Sequence, residues 1–129
     1  MVSFDLFAWD GDSPIYYQIV RFIKRGLAAG SIRDGEEMPS RRVLSARLGV
    51  NPNTIQKAYR ILEEEGLICS HAGAKSFITA SDEQVSAVKA QLVQADALRL
   101  VSGLRQSGLT KEEALALVDG LWDVGEEEA

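Results

Sequence analysis

Residues 39–66 read PSRRVLSARLGVNPNTIQKAYRILEEEG, which resolves into a short helix, a tight turn and a longer helix. Ser40 is placed to cap the first helix by accepting from an orphan amide, and Gly49 supplies the left-handed residue that ends it. Val50 seats the turn in the core. Asn51 caps the second helix, and Pro52 takes its first position, where no amide hydrogen is needed. Two helices joined by a short connection containing glycine form the helix-turn-helix pattern.

The second helix sorts its side chains by face. At about 100° per residue, Ile55, Ala58, Tyr59 and Leu62 share one side, whereas Asn53, Gln56, Lys57 and Arg60 fan out on the other. The first set is core. The second carries amides and cations with the reach to meet base edges and phosphates in a major groove. A solvated helix face is the bland reading of such a pattern, and the capped helix before it, bearing Arg41 and Arg42, tips the balance toward DNA.

The overall charge points the other way. The chain of 129 residues carries a formal charge of −5 with 46% hydrophobic content, and DNA affinity rests largely on neutralising phosphates. The acid is unevenly spread, however. Through Ala80 there are ten Lys and Arg against nine Asp and Glu; from Ser81 onward there are four against ten. The acidity therefore belongs to the tail, and the balanced front part must gather its cations on one face to bind DNA.

The length suits one domain with an appendage. The single cysteine, Cys69, excludes an internal disulfide, fits a reducing compartment and is expected as a small buried hydrophobe in a strand. No apolar run approaches the ~20 residues of a membrane span, no export leader is evident, and the expected location is the cytoplasm. No Cys, His and carboxylate cluster stands at metal-ligand spacing, and there is neither a nucleophile motif nor a phosphate-binding glycine loop. An enzyme, a bound metal and a cofactor are not expected.

Three parts are expected. Residues 1–12, MVSFDLFAWDGD, form an aromatic arm that docks either on its own domain or on a partner subunit. Residues 13–80 form the winged helix-turn-helix domain. Ser13 and Pro14 open its first helix, with Ile15, Ile19, Phe22, Ile23 and Leu27 as an apolar stripe ending at Gly30. Between Ser31 and Met38 lies a turn with room for a short strand. After Gly66, strands at 67–70 and 75–79 flank a turn at 71–74 and make a hairpin, the wing, with His71 and Lys75 as candidate phosphate contacts.

Residues 81–129 form a tail of two short helices. Val88 and Leu92 mark an apolar face on the first; Thr110 and Glu113 make a capping box opening the second, whose Leu115, Val118, Leu121 and Trp122 share a side. Such a hairpin either pairs with its copy across a two-fold axis or packs back on the wing domain. The fold class is thus mainly α with a small β-hairpin wing and a C-terminal helical hairpin for dimerisation.

The set PSRRVLSARLGV, NPNTIQKAYRILEEEGLI and GAKSFI, with SPIYYQI opening the first helix, resembles the winged-helix domain of GntR-type bacterial transcription regulators, in particular the YtrA-like subfamily. That resemblance implies a homodimeric repressor on a palindromic operator in double-stranded DNA, with a short helical dimerisation tail and control of a nearby transporter operon. It implies DNA contacts from Arg42, from Asn53, Thr54 and Gln56, and from Gly73 at the wing tip. The residue chemistry adds Ser40, Arg41, Asn51, Lys57, Arg60 and Lys75. The wing departs from the family pattern at Ala72, where a basic residue is usual, and at Lys75, where a glycine is usual. The tail is too small to enclose a drug-sized pocket of some 300 Å³, so a small-molecule effector would need a dimer cleft. The competing reading is a winged-helix protein-interaction module with an acidic helical tail, which duplex binding would exclude.

Overall fold

A computed structural model describes residues 1–71 and 75–125. It contains α1 (Ile15–Ala29), α2 (Arg41–Leu48), α3 (Pro52–Glu64), β1 (Ile68–Ser70), β2 (Ser76–Ile78), α4 (Asp82–Gln106) and α5 (Lys111–Leu121). The mainly helical architecture with one antiparallel hairpin matches the expected class.

The residues between α1 and β2 build the core on α3. Ile55, Ala58, Tyr59 and Leu62 are buried on its inner side; Ile19, Ile23 and Leu27 meet it from α1, and Leu44 from α2. Fully burying side chains of this size contributes about 1.5–3 kcal/mol each. The ends of the helices are where the sequence indicates. Ser40 Oγ accepts from Val43 N, Gly49 ends α2 at φ 67°, and Asn51 accepts from Asn53 N with Pro52 at the first helical position.

The start of α1 differs from expectation. Pro14 stands outside the helix at ψ 143° and Ser13 makes no capping bond. Gln18 instead ties down the chain ahead of the helix: its amide donates to the carbonyls of Ser13 and Asp10 while its own oxygen accepts from Asp10 N. Gln18 thus clamps the arm against the start of α1. The arm docks in cis: Val2 and Phe4 are buried, Val2 N donates to Glu37 O at 2.8 Å, Phe4 stacks on Phe22, and Asp5 pairs with Arg47 of α2.

The wing is also broader at its base than two strands. Glu37 bridges Phe77, Met38 N donates to Ser76 O, and Ile78 N donates to Glu36 O. The connection after α1 therefore acts as a third, irregular strand. Cys69 is half-buried rather than buried, its thiol 3.6 Å from His71 Nε2.

Two corrections concern the tail. It does not consist of two short helices: α4 runs for 25 residues, about 37 Å at helical rise. Moreover, the chain divides into compact units within α4, after Leu92 rather than at residue 80. Val88 is buried in the core of the first unit, with Val85 and Leu92 packed against it, so Val88 is spent inside the chain and the half-buried Leu92 partly so, which takes Val88 out of the expected dimerisation face. Ser81 and Gln84 hold this end by a reciprocal capping pair, and Gln84 Nε2 also donates to Gly66 O at the end of α3. In the second unit, Thr110 and Glu113 form the expected capping box of α5. Here no residue of α5 is buried: Leu115 is 60% and Trp122 75% exposed, and Leu121 is exposed with them while Val118 is half-buried.

Candidate nucleic-acid interface

Asn53, Gln56, Lys57 and Arg60 are exposed on α3 opposite its buried side, and Thr54 is half-buried beside them. The first turn of α3 contains no acidic residue. A helix tuned for stability places acids there, against the positive end of the macrodipole; leaving it bare favours an incoming phosphate. The acids instead gather at the far end, where Glu63 pairs with Arg41, Glu65 with Lys24, and Glu64 lies 3.9 Å from Arg60.

Two consecutive arginines open α2, and the structure gives them different work. Arg42 is exposed, with no ion pair among the described residues. Arg41 is a correction to the expected contacts: its guanidinium turns inward, bonds Glu63 at 2.8 Å and lies 4.9 Å from the centre of the Tyr59 ring. A cation held by a carboxylate and an aromatic face in a half-buried place is costly to release. Arg41 is therefore structural support beside Arg42.

Ser40 and Asn51 use their side-chain oxygens on capping, which leaves the helix amides behind them as their route to a phosphate. Lys57 is exposed, yet its ammonium rests 4.0 Å from the Tyr16 ring centre on α1, at one border of the face. On the wing, Lys75 and His71 are exposed and joined by the bond from His71 N to Lys75 O. Gly73, at the expected wing tip, lies outside the described residues.

The midpoint of α3 is locked by Tyr59, whose hydroxyl donates to Pro39 O at 2.5 Å. Burial raises the phenol's pKa, opposed in part by the Arg41 charge. The recognition face is thereby fixed to the residue that precedes the α2 cap.

The family model for bacterial regulatory proteins of the gntR family matches residues 15–78, from the first turn of α1 through β2. Among relatives, the HTH-type transcriptional regulator YhcF of Bacillus subtilis is 34% identical over 107 residues, covering 83% of this chain and 88% of YhcF. The chain belongs to the GntR family. The HTH-type transcriptional repressor YtrA of Bacillus subtilis is 35% identical over 88 residues, covering 64% of this chain and 68% of YtrA. A GntR-family regulator from Listeria monocytogenes superposes with a TM-score of 0.77 at 30% identity, covering 87% of this chain and 98% of its own. This GntR protein is accordingly a DNA-binding transcription regulator of the YtrA-like group and not an enzyme. No helix among the described residues is long and apolar enough to cross a membrane.

Sequence reasoning missed Gln18 and Glu63 altogether. Gln18 lies on the flank of an amphipathic helix and carries no capping pattern. Glu63 is one of three consecutive glutamates, and only its partners distinguish it.

Proposed function

We propose that this GntR protein is a cytoplasmic homodimeric repressor that binds a palindromic operator and controls a neighbouring transporter operon. The observation that carries the DNA-reading part is the two-sided α3: a buried apolar stripe on one side and Asn53, Gln56, Lys57 and Arg60 exposed on the other, with no acid in its first turn. In this reading Arg42, Asn53 and Gln56 read base edges. Ser40, Asn51, Thr54, Lys57, Arg60, Lys75 and Gly73 position the backbone. Repression is supported by the likeness to the repressor YtrA.

Dimerisation is assigned to the tail from Val93 onward. Leu98, Val101, Leu115, Leu121 and Trp122 are all exposed in the single chain, more apolar surface than a monomer ordinarily leaves in water. A second copy of the same tail would bury it through an isologous interface. The functional parts are then the DNA-binding unit with its arm docked in cis and a dimerising tail. A small effector has room either in the dimer cleft or in the open cleft of about 520 Å³ between the arm and α1, lined by Phe7, Phe22 and Ile32 with Arg21 on its wall.

The test is selection of bound sequences from random duplex DNA by the purified full-length protein. Enrichment of a two-fold symmetric site, with half-sites roughly 34 Å apart, is the expected result. Enrichment of an unpaired half-site would remove the palindrome and the dimer from the account.

A further inference from the structure

One carboxylate oxygen joins three parts of the DNA-binding unit. Glu63 Oε1 accepts from Arg41 Nη2 at 2.8 Å and from Ser70 Oγ at 2.7 Å. Arg41 adjoins the exposed Arg42 at the start of α2, whereas Ser70 is the last residue of β1. Ser70 is paired across the hairpin with Ser76, their hydroxyls 3.1 Å apart, in the register position next to the wing tip. Glu63 itself continues the α3 stripe of Gln56 and Arg60 at helical spacing. The wing is thus fastened to the same helix face that carries the reading residues.

A hairpin with strands of three residues cannot set its own orientation, since isolated two-stranded ribbons are marginal in water. On one side β2 is held by the Glu37 bridge at Phe77 and by the bond from Met38 N to Ser76 O. On the other, β1 near the tip is held by Ser70 on Glu63. A charge-assisted hydrogen bond is shorter and stronger than a neutral one and fixes direction as well as distance. Arg41 neutralises the carboxylate, so the fastening puts no net negative charge toward the phosphates.

We propose that Glu63, through Ser70, is a positioning residue that aims the wing along the DNA backbone beside the α3 reading face. The inference rests on the reading of Lys75 and the wing as a phosphate contact. Ser70→Ala is the discriminating variant, because it cuts the wing fastening, together with the hydroxyl contact to Ser76, while leaving the Arg41–Glu63 pair in place.

The experiment measures operator affinity against salt concentration for the full-length protein and its Ser70→Ala, Ser70→Thr, Lys75→Ala and Ser70→Ala/Lys75→Ala variants, with melting temperatures alongside. Ser70→Ala should melt close to wild type yet bind the operator about fivefold more weakly, and Ser70→Thr, which keeps the hydroxyl, should restore binding. Lys75→Ala should reduce the salt slope by about one in the wild-type background and leave it unchanged in Ser70→Ala, since a misaimed wing no longer makes the contact. Wild-type affinity in Ser70→Ala, or the same slope change in both backgrounds, overturns the positioning role. A Lys75→Ala variant with the wild-type slope removes Lys75 from the interface, a failure of the wing reading alone; Ser70→Ala and its threonine rescue then still decide the role of Glu63.

Discussion

The hydroxyl of Tyr59, midway along α3, reaches the carbonyl of Pro39 at 2.5 Å, so the recognition helix is tied to the chain just before the cap of α2. Packing alone leaves two short helices free to slide by a fraction of a turn. A buried directional bond between them does not, and it fixes Arg42 relative to Gln56.

Tyr59→Phe should therefore cost about 1–3 kcal/mol of stability, because the Pro39 carbonyl is left buried without a partner. The phenol's raised pKa adds a pH signature. Above its ordinary value of 10.0 the unfolded chain ionises while the buried group stays neutral, so wild-type stability falls as pH rises beyond that point. Denaturation curves at pH 8 and pH 11 should show that loss in the wild type and a smaller one in Tyr59→Phe.

Gly26 faces the side chain of Ile32 so closely that an added Cβ would lie 2.4 Å from its Cδ1 and 2.6 Å from its Cγ1. Ile32 is buried, with little room to yield. Gly26→Ala should destabilise by about 1–3 kcal/mol through overpacking, and Ile32→Val in the same chain should recover part of it in thermal melts.

Where the tail is cut should matter. Truncation after Leu92 keeps Val85 and Val88 on the core and is expected to give a folded, monomeric domain with greatly weakened operator binding. Truncation after Thr79 strips Val88 from the core and should lower stability by roughly 1.5–3 kcal/mol for that side chain alone. Sedimentation and melting of the two forms check both statements; a dimer persisting after truncation at Leu92 moves the interface into the first unit.

The capping box at the start of α5 gives the tail an acid-sensitive end. Bonds from the Thr110 backbone and then its side chain hold Glu113 below its ordinary value of 4.5. A depressed carboxylate contributes stability above the unfolded value and loses it as pH falls through the folded one. Tail helicity should thus decline below about pH 4.5 in the wild type, and Glu113→Gln should flatten that dependence in circular dichroism.

The helix-turn-helix was legible because its signals are local: Ser40, Gly49, Asn51 and Pro52 each act within a few residues of themselves. The hairpin was legible for the same reason. What lay beyond reach depends on partners far along the chain. Arg41 and Arg42 are chemically identical neighbours, and Glu63, 22 positions after Arg41, together with the Tyr59 ring, turns one of them inward. Likewise Val88 belongs to an apolar helical pattern whose first turns pack on the wing domain, a partner that periodicity alone does not name. The bridge between Glu37 and Phe77 has no turn between its strands to announce it.

The most direct test of the account is the affinity of Gln56→Ala and Arg42→Ala for the selected operator and for a scrambled duplex at two salt concentrations. Loss of about 1–3 kcal/mol on the operator, with Gln56→Ala leaving scrambled-duplex binding unchanged, is the result the account predicts. Wild-type discrimination between the two duplexes in both variants would contradict it, and would take sequence reading away from the exposed face of α3.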